Sequence, residues 1–101
     1  MNVVGGLRLD EPATDLAVAL ALVSSLKDIV VPEDVLAFGE IGLTGEIRAV
    51  NRASQRVTEA ARLGFTKCIM PYHNLKGLTI PEDLDISVIG VRTIRDAVAA
   101  L

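Results

Sequence analysis

Three sets of residues in this sequence are of types that can do chemistry. The first is Gly39-x-x-Gly42-x-x-Gly45, glycine-rich in the manner of a phosphate loop. Such a loop works when a helix N-terminus follows the glycines, or when a Gly-Lys-Ser/Thr ending brings a cation to the phosphates. Here an extended run, Glu46 to Val50, follows instead, so the spacing reads as a tight turn. The second set is Cys68 and His73, which by type alone make a nucleophile and a base. Cys68 lies in Lys67-Cys68-Ile69-Met70, which reads as a buried strand, and His73 lies beyond Pro71 on a loop. A structural cysteine and a solvent-exposed histidine fit that placement better, and one His with one Cys is too few ligands for a transition-metal site. The third set is Arg48, Arg52 and Arg56. Arg52 and Arg56 are one helical turn apart and share a face, and Arg48 projects from the strand leading into that helix. They read as a solvated charged face, or else as a contact surface for a phosphate backbone or a neighbouring subunit.

The composition narrows the setting. A chain of 101 residues is one domain or part of one. Half its residues are hydrophobic, but it has no Trp, and Tyr72, Phe38 and Phe65 are its aromatics, so the core must be aliphatic. Thirteen acidic residues against ten basic ones leave a net charge of −3. That argues against a stand-alone nucleic-acid binder, while a local basic patch on a larger assembly stays compatible with it. The single cysteine excludes an internal disulfide and suits a reducing cytoplasm. The longest apolar run, Leu16 to Val23, is too short to cross a bilayer, and acidic Asp10 and Glu11 stand where a signal peptide would be basic.

The elements that must position these residues centre on Asp34 to Val50. Val35 to Ile41 reads as a strand buried on both faces, Gly42 to Gly45 as a turn, and Glu46 to Val50 as a second, half-wet strand, with Asn51 as the N-cap of a helix over about 52–63. Before this unit, Val3-Val4 is β-like and breaks at Gly5-Gly6; a chain opening directly on a strand suggests a piece of something longer. Asp10 or Glu11 caps a helix over 13–27, with Pro12 in its first turn. That helix is apolar almost all round, which predicts a central helix covered on more than one side. After the unit, Gly64 stops the second helix and strands run over 67–70 and 86–91. Between them 72–84 is loop, and Thr93 to Asp96 is a capping box for a last helix carrying Ile94, Ala97, Val98 and Leu101. Strands alternating with helices give an α/β protein.

Val3-Val4-Gly5-Gly6, Asp15-Leu16-Ala17, Phe38 to Arg48, Glu59-Ala60-Ala61-x-x-Gly64-Phe65 and Ile89-Gly90-Val91 together resemble the C-terminal Lon-protease-like domains of the bacterial RadA (Sms) family. The resemblance covers essentially the whole chain. It implies a ribosomal-protein-S5-domain-2-like α/β fold, a mixed sheet packed with about three helices, lacking the family's first strands. It also implies a parent protein with an upstream four-cysteine zinc motif and a RecA-like ATPase core, using Zn, ATP and Mg. Such proteins act in the cytoplasm as hexameric rings on DNA, driving branch migration in recombinational repair, with no membrane partner. Active Lon proteases place a serine nucleophile in Gly-Pro-Ser-Ala-Gly and a lysine in Gly-Gly-Leu-Lys. The matching segments here are Glu11-Pro12-Ala13-Thr14-Asp15 and Asn51-Arg52-Ala53-Ser54, so Ala13 and Ser54 occupy the dyad positions. Ala13 has no nucleophilic atom and Ser54 cannot act as a base, so the resemblance implies a non-catalytic module serving ring assembly and DNA contact. Two other readings are a Lon-like hydrolase with another nucleophile, Thr14 or Ser54, and a generic α/β interaction domain.

Overall fold

The computed structural model describes residues 3–4, 7–8 and 12–101. Alternation along two short buried strands organises it. Strands β3 (Val35–Ala37) and β6 (Lys67–Pro71) pair in parallel, with Leu36 opposite Cys68 and Ala37 opposite Ile69. Strand β7 (Ser87–Val91) joins β6 on its other side, again parallel. Successive side chains of a strand point to opposite faces. Leu36, Phe38, Cys68 and Met70 therefore meet Ala53, Val57 and Ala60 of helix α2 (Ala53–Arg62). Ala37, Ile69 and Val91 meet Leu16 and Leu20 of helix α1 (Asp15–Lys27) and Ala97 of helix α3 (Ile94–Ala99). Both faces are covered, as a parallel sheet requires.

The predicted strand over 35–41 is broken. Its first half is β3; its second half, β4 (Glu40–Ile41), pairs antiparallel with β5 (Ile47–Arg48). The break falls at Gly39, whose N–H donates to the Ala13 carbonyl (2.7 Å) and whose carbonyl accepts from Leu16 N–H (3.0 Å). These bonds pull the backbone off the parallel ladder. Of the predicted strand over 46–50, Glu46 to Arg48 is extended and Ala49 and Val50 are irregular. A bridge between Glu46 and Thr93, with Ile47 N–H donating to the Arg92 carbonyl (2.8 Å), attaches the hairpin to the end of β7. Among the described residues the protein is thus α/β, with mixed strand directions and three α-helices. A further antiparallel pair joins β1 (Val3–Val4) to β2 (Leu7–Arg8).

Two expectations about helices are corrected. Asn51 does not cap α2. Its carbonyl and Oδ1 both accept from the Arg56 guanidinium (3.0 and 3.1 Å), and Arg52, in the left-handed region at φ 57°, takes the N-cap position without a side-chain cap bond. The capping roles given to Asp10 and Glu11 and the break at Gly5-Gly6 lie outside the described residues; α1 is entered from a 3-10 turn, Pro12–Thr14. Nor is α1 covered on more than one side among the described residues. Leu16 and Leu20 are buried, but Leu22 is 61% and Leu26 85% exposed. The helix lies in an outer layer beside α3, so one face alone meets the sheet. At the far end Thr93 Oγ1 accepts from Asp96 N–H (3.2 Å) and Asp96 Oδ2 from Arg92 N–H (3.4 Å), close to the predicted capping box. No helix among the described residues is long and apolar enough to cross a membrane.

The two faces of α1 make a paired test by chemical denaturation. Leu20→Ala should cost about 2–5 kcal/mol, the range for emptying a packed core site, while Leu22→Ala should stay within about 0.5 kcal/mol. Equal losses would show α1 covered on both sides.

Candidate functional site: the carboxyl edge of the sheet and an arginine surface

The chain turns at the carboxyl ends of its parallel strands, where loops converge and α/β proteins place their sites. Ala13 and Ser54 both stand at this edge, Ala13 beside α1 and Ser54 in the first turn of α2. Ala13 is buried and its carbonyl is taken by Gly39. Ser54 Oγ accepts from Thr79 N–H (2.9 Å), which ties the 72–86 loop to α2. The hydroxyl acts as a fastener for that loop. Thr14 is buried beside Ala13.

The fold puts Cys68 and His73 in different settings. Cys68 is fully buried in β6, and burial pushes its thiol up to about 12. At neutral pH it carries no thiolate to attack with. His73 is exposed on a short 3-10 turn (Tyr72–Asn74), edge-on to the Tyr72 ring. Among the described residues no group of three or more His, Cys, Asp or Glu could hold a metal ion.

The arginines divide into two. Arg48 is drawn toward the hairpin turn, pairing with Glu46 at 3.4 Å. Arg52 and Arg56 share the first turn of α2, where Arg56 N–H donates to the Arg52 carbonyl (3.0 Å) and the Arg56 guanidinium folds onto Asn51. A left-handed arginine is costly, roughly 1–2 kcal/mol for a residue with a Cβ. Arg52 lines a polar cavity of about 500 Å³ with Ser54, Asn74 and Lys76. Sequence reading left Lys76 and Asn74 in a plain loop. Asn74 clamps Val50 through both its amide groups, accepting from its N–H (2.9 Å) and donating to its carbonyl (3.0 Å). This clamp holds the loop, and Lys76 with it, against the entry to α2. The available signal was a lone Asn just past a strand-ending proline, a turn-forming type without a partner in sequence. The loop also places Tyr72 under Arg92, whose guanidinium lies 4.0 Å from the ring centroid.

The hairpin turn is the most tightly bonded surface feature. Glu46 Oε1 accepts from the Thr44 hydroxyl (2.8 Å) and from Thr44 N–H (3.1 Å). Its carboxyl group fills the space above Gly42, where an added Cβ would lie 2.3 Å from it. The Thr44 hydroxyl, then backbone N–H groups, and least of all Arg48, hold the Glu46 carboxyl at about 2 instead of its ordinary 4.5.

Residues 3–74 match the protein-family model described as subunit ChlI of Mg-chelatase. The chain is also similar to curated proteins named DNA repair protein RadA. That of Streptococcus pneumoniae is 55% identical over 92 residues, which are 91% of this chain and 21% of the relative. That of Halalkalibacterium halodurans is 52% identical over 97 residues, 96% of this chain and 21% of the relative. That of Bacillus subtilis is 46% identical over 97 residues, with the same coverage. The chain therefore spans about a fifth of the length of these relatives.

The bonded turn predicts a pH signature. A carboxyl held low in the folded state stabilises above its unfolded value of 4.5, and that contribution is lost as pH falls toward 2. Carboxyl-carbon NMR should find Glu46 titrating near 2, and Thr44→Val should raise it toward 4.5. An unchanged midpoint in the variant would remove the hydroxyl as the main cause.

Proposed function

Since the chain belongs to the family described as subunit ChlI of Mg-chelatase, and its relatives are named DNA repair protein RadA, we propose that it is a non-catalytic, protease-like module of a RadA-type DNA repair ATPase. The metal chemistry in the family's description is not carried over to the described residues. In this reading the Lon-like scaffold is kept and its dyad, Ala13 and Ser54, is lost. The module serves assembly into a ring and adds phosphate contacts to DNA through Arg48, Arg52 and Arg56, joined by Lys76. Zinc, ATP and Mg belong to the parent's other domains, and the parent works in the cytoplasm. Its further strands would cover the open face of α1.

One observation carries the DNA part of this reading. Arg52 occupies a left-handed position that Gly or Asn fills at lower cost, and it lines one cavity with Lys76. Strain kept at a charged surface residue supports a role for Arg52 in contact. The surface offers cations at the start of a helix and no array of Asn and Gln for reading base edges, so contact should go through phosphates.

Two tests follow on the full-length protein that carries this chain. In an Arg52→Ala/Arg56→Ala variant that still assembles, the slope of log K for DNA binding against log salt should fall by about 2, near 0.9 for each phosphate that is no longer neutralised. Loss of the ring with an unchanged slope per assembled particle would make the arginines an assembly surface. Arg52→Asn should keep or raise the melting temperature while weakening DNA binding; a variant that binds as well as wild type would show the strain to be unrelated to DNA. For the protease part, purified protein incubated with an unfolded substrate should yield no cleavage. Turnover lost on Thr14→Ala would instead establish a hydrolase.

A further inference from the structure

Two cavities lie side by side along α2 and share a wall. The polar one, of about 500 Å³, takes in Arg52, Asn74 and Lys76. The other is mostly apolar, of about 760 Å³, and runs past Thr58 to Arg62, with Ile80 and Pro81 of the 72–86 loop facing the helix across it. Ser54 and Gln55 line both, so the two form one trough. The helix residues that line the apolar part lie outside the buried stripe Ala53, Val57, Ala60. The loop wall is held in place at two points. Ser54 Oγ accepts from Thr79 N–H (2.9 Å), and Asn74 clamps Val50.

Charge is unevenly placed along this trough. Arg52 and Lys76 stand at the polar end, and no acidic residue lines that end. Among the described residues neither side chain has an ion-pair partner. At the other end Glu59 and Glu82 are largely offset by Arg62. The neighbouring arginines are turned elsewhere, Arg56 onto Asn51 and Arg48 onto Glu46. From Ser54 to Arg62 the helix rises about 12 Å, at about 1.5 Å per residue. That is the reach of about four residues of extended chain. The apolar stretch offers aliphatic surface and no aromatic ring on which a nucleobase would stack.

We propose that the trough is a docking site for an extended segment of another protein in which acidic residues adjoin aliphatic ones. The carboxylates pair with Arg52 and Lys76, and the aliphatic side chains lie against Thr58, Ile80 and Pro81. The two cations have no acid to give up, so the new pairs form without breaking old ones. The apolar wall adds burial beside the charge, which a carboxylate alone would not use. The inference goes beyond the proposed function and shares with it only Arg52 and Lys76. Such a segment and DNA should therefore exclude each other.

The test uses the full-length protein and two end-capped fluorescent peptides, Gly-Asp-Asp-Leu-Leu-Gly and its reverse, which present the same groups in both chain directions. At least one should bind, read by anisotropy at low salt. Its binding should weaken about tenfold when the aspartates become asparagines, and again when the leucines become serines. Lys76→Ala, at an exposed side chain with no bond to lose among the described residues, should weaken it by a similar factor. Ile80→Ser should weaken the peptide and leave DNA binding unchanged. Ile80 also packs on the core, so a second readout uses wild-type protein. A photo-leucine form of the peptide should crosslink to Thr58 or to the 79–82 segment. Crosslinks confined to α1 around Leu22 and Leu26 overturn the docking. So does failure of both peptides to bind, or an asparagine peptide that binds as well as the acidic one. Loss of single-stranded DNA binding in Ile80→Ser, with no peptide crosslink in the trough, makes it a nucleic-acid seat and overturns the proposal too.

Discussion

The structure depends on how closely its backbone approaches itself at Gly39. There β3 ends, the hairpin begins, and the entry to α1 crosses both. A Cβ at Gly39 would lie 3.0 Å from Ile47 Cγ2 and 3.4 Å from Leu16 Cδ2 and Pro71 Cγ. The space a side chain would fill is thus already occupied by the hairpin, α1 and the end of β6. The two backbone bonds to Ala13 and Leu16 replace the ladder bonds given up at the break, so the N–H and carbonyl of Gly39 are both paired. Everything on the carboxyl side of the sheet takes its position from this junction. The 3-10 turn carrying Ala13 is fastened to it directly. The hairpin carrying Leu43, and the residues that lead into Arg52, start from it.

Under the proposed reading, this edge keeps a protease-like scaffold without its dyad. The positions that resemble a protease dyad hold a buried methyl group and a hydroxyl engaged by the backbone of Thr79. Beside them stand cations: Arg52 and Lys76 along one cavity, Arg56 bonded to Asn51 and Arg48 paired with Glu46. Arg52 keeps a strained backbone there, and strain of this size is a substantial part of a small domain's stability. Trading stability for a cation at this backbone position is consistent with a surface that contacts a partner.

Much of the fold could be read from side-chain periodicity. The spacing of Ala53, Val57, Ala60 and Ala61 marks the inner face of α2, of which all but Ala61 are buried, and the apolar run Cys68-Ile69-Met70 reads as the buried strand it is. Thr93 and Asp96 announced the start of α3 by local hydrogen-bond chemistry alone. What could not be read depended on which partner each group meets in the folded chain. The break at Gly39 is set by Ala13 and Leu16, far off in sequence; Asn51 is claimed by Arg56 before it can cap; and Asn74 finds its partner at Val50. The apolar circumference of α1 misled for a related reason, since composition reports that a face can be buried and not whether anything lies over it. Of the site, the arginines were legible as a charged face. Their separation into a hairpin member and two helix members was not, because Glu46 draws Arg48 across the turn.

The central claim is that this module works by contact and not by catalysis, and survival of cells after DNA damage tests it most directly. Cells would carry the full-length gene with either Arg48, Arg52 and Arg56 changed to alanine, or Thr14→Val with Ser54→Ala, at matched protein levels. The account predicts sensitisation by the arginine changes and near wild-type survival with the hydroxyl changes. Sensitisation by the hydroxyl changes, with the arginine variant unaffected, would contradict it.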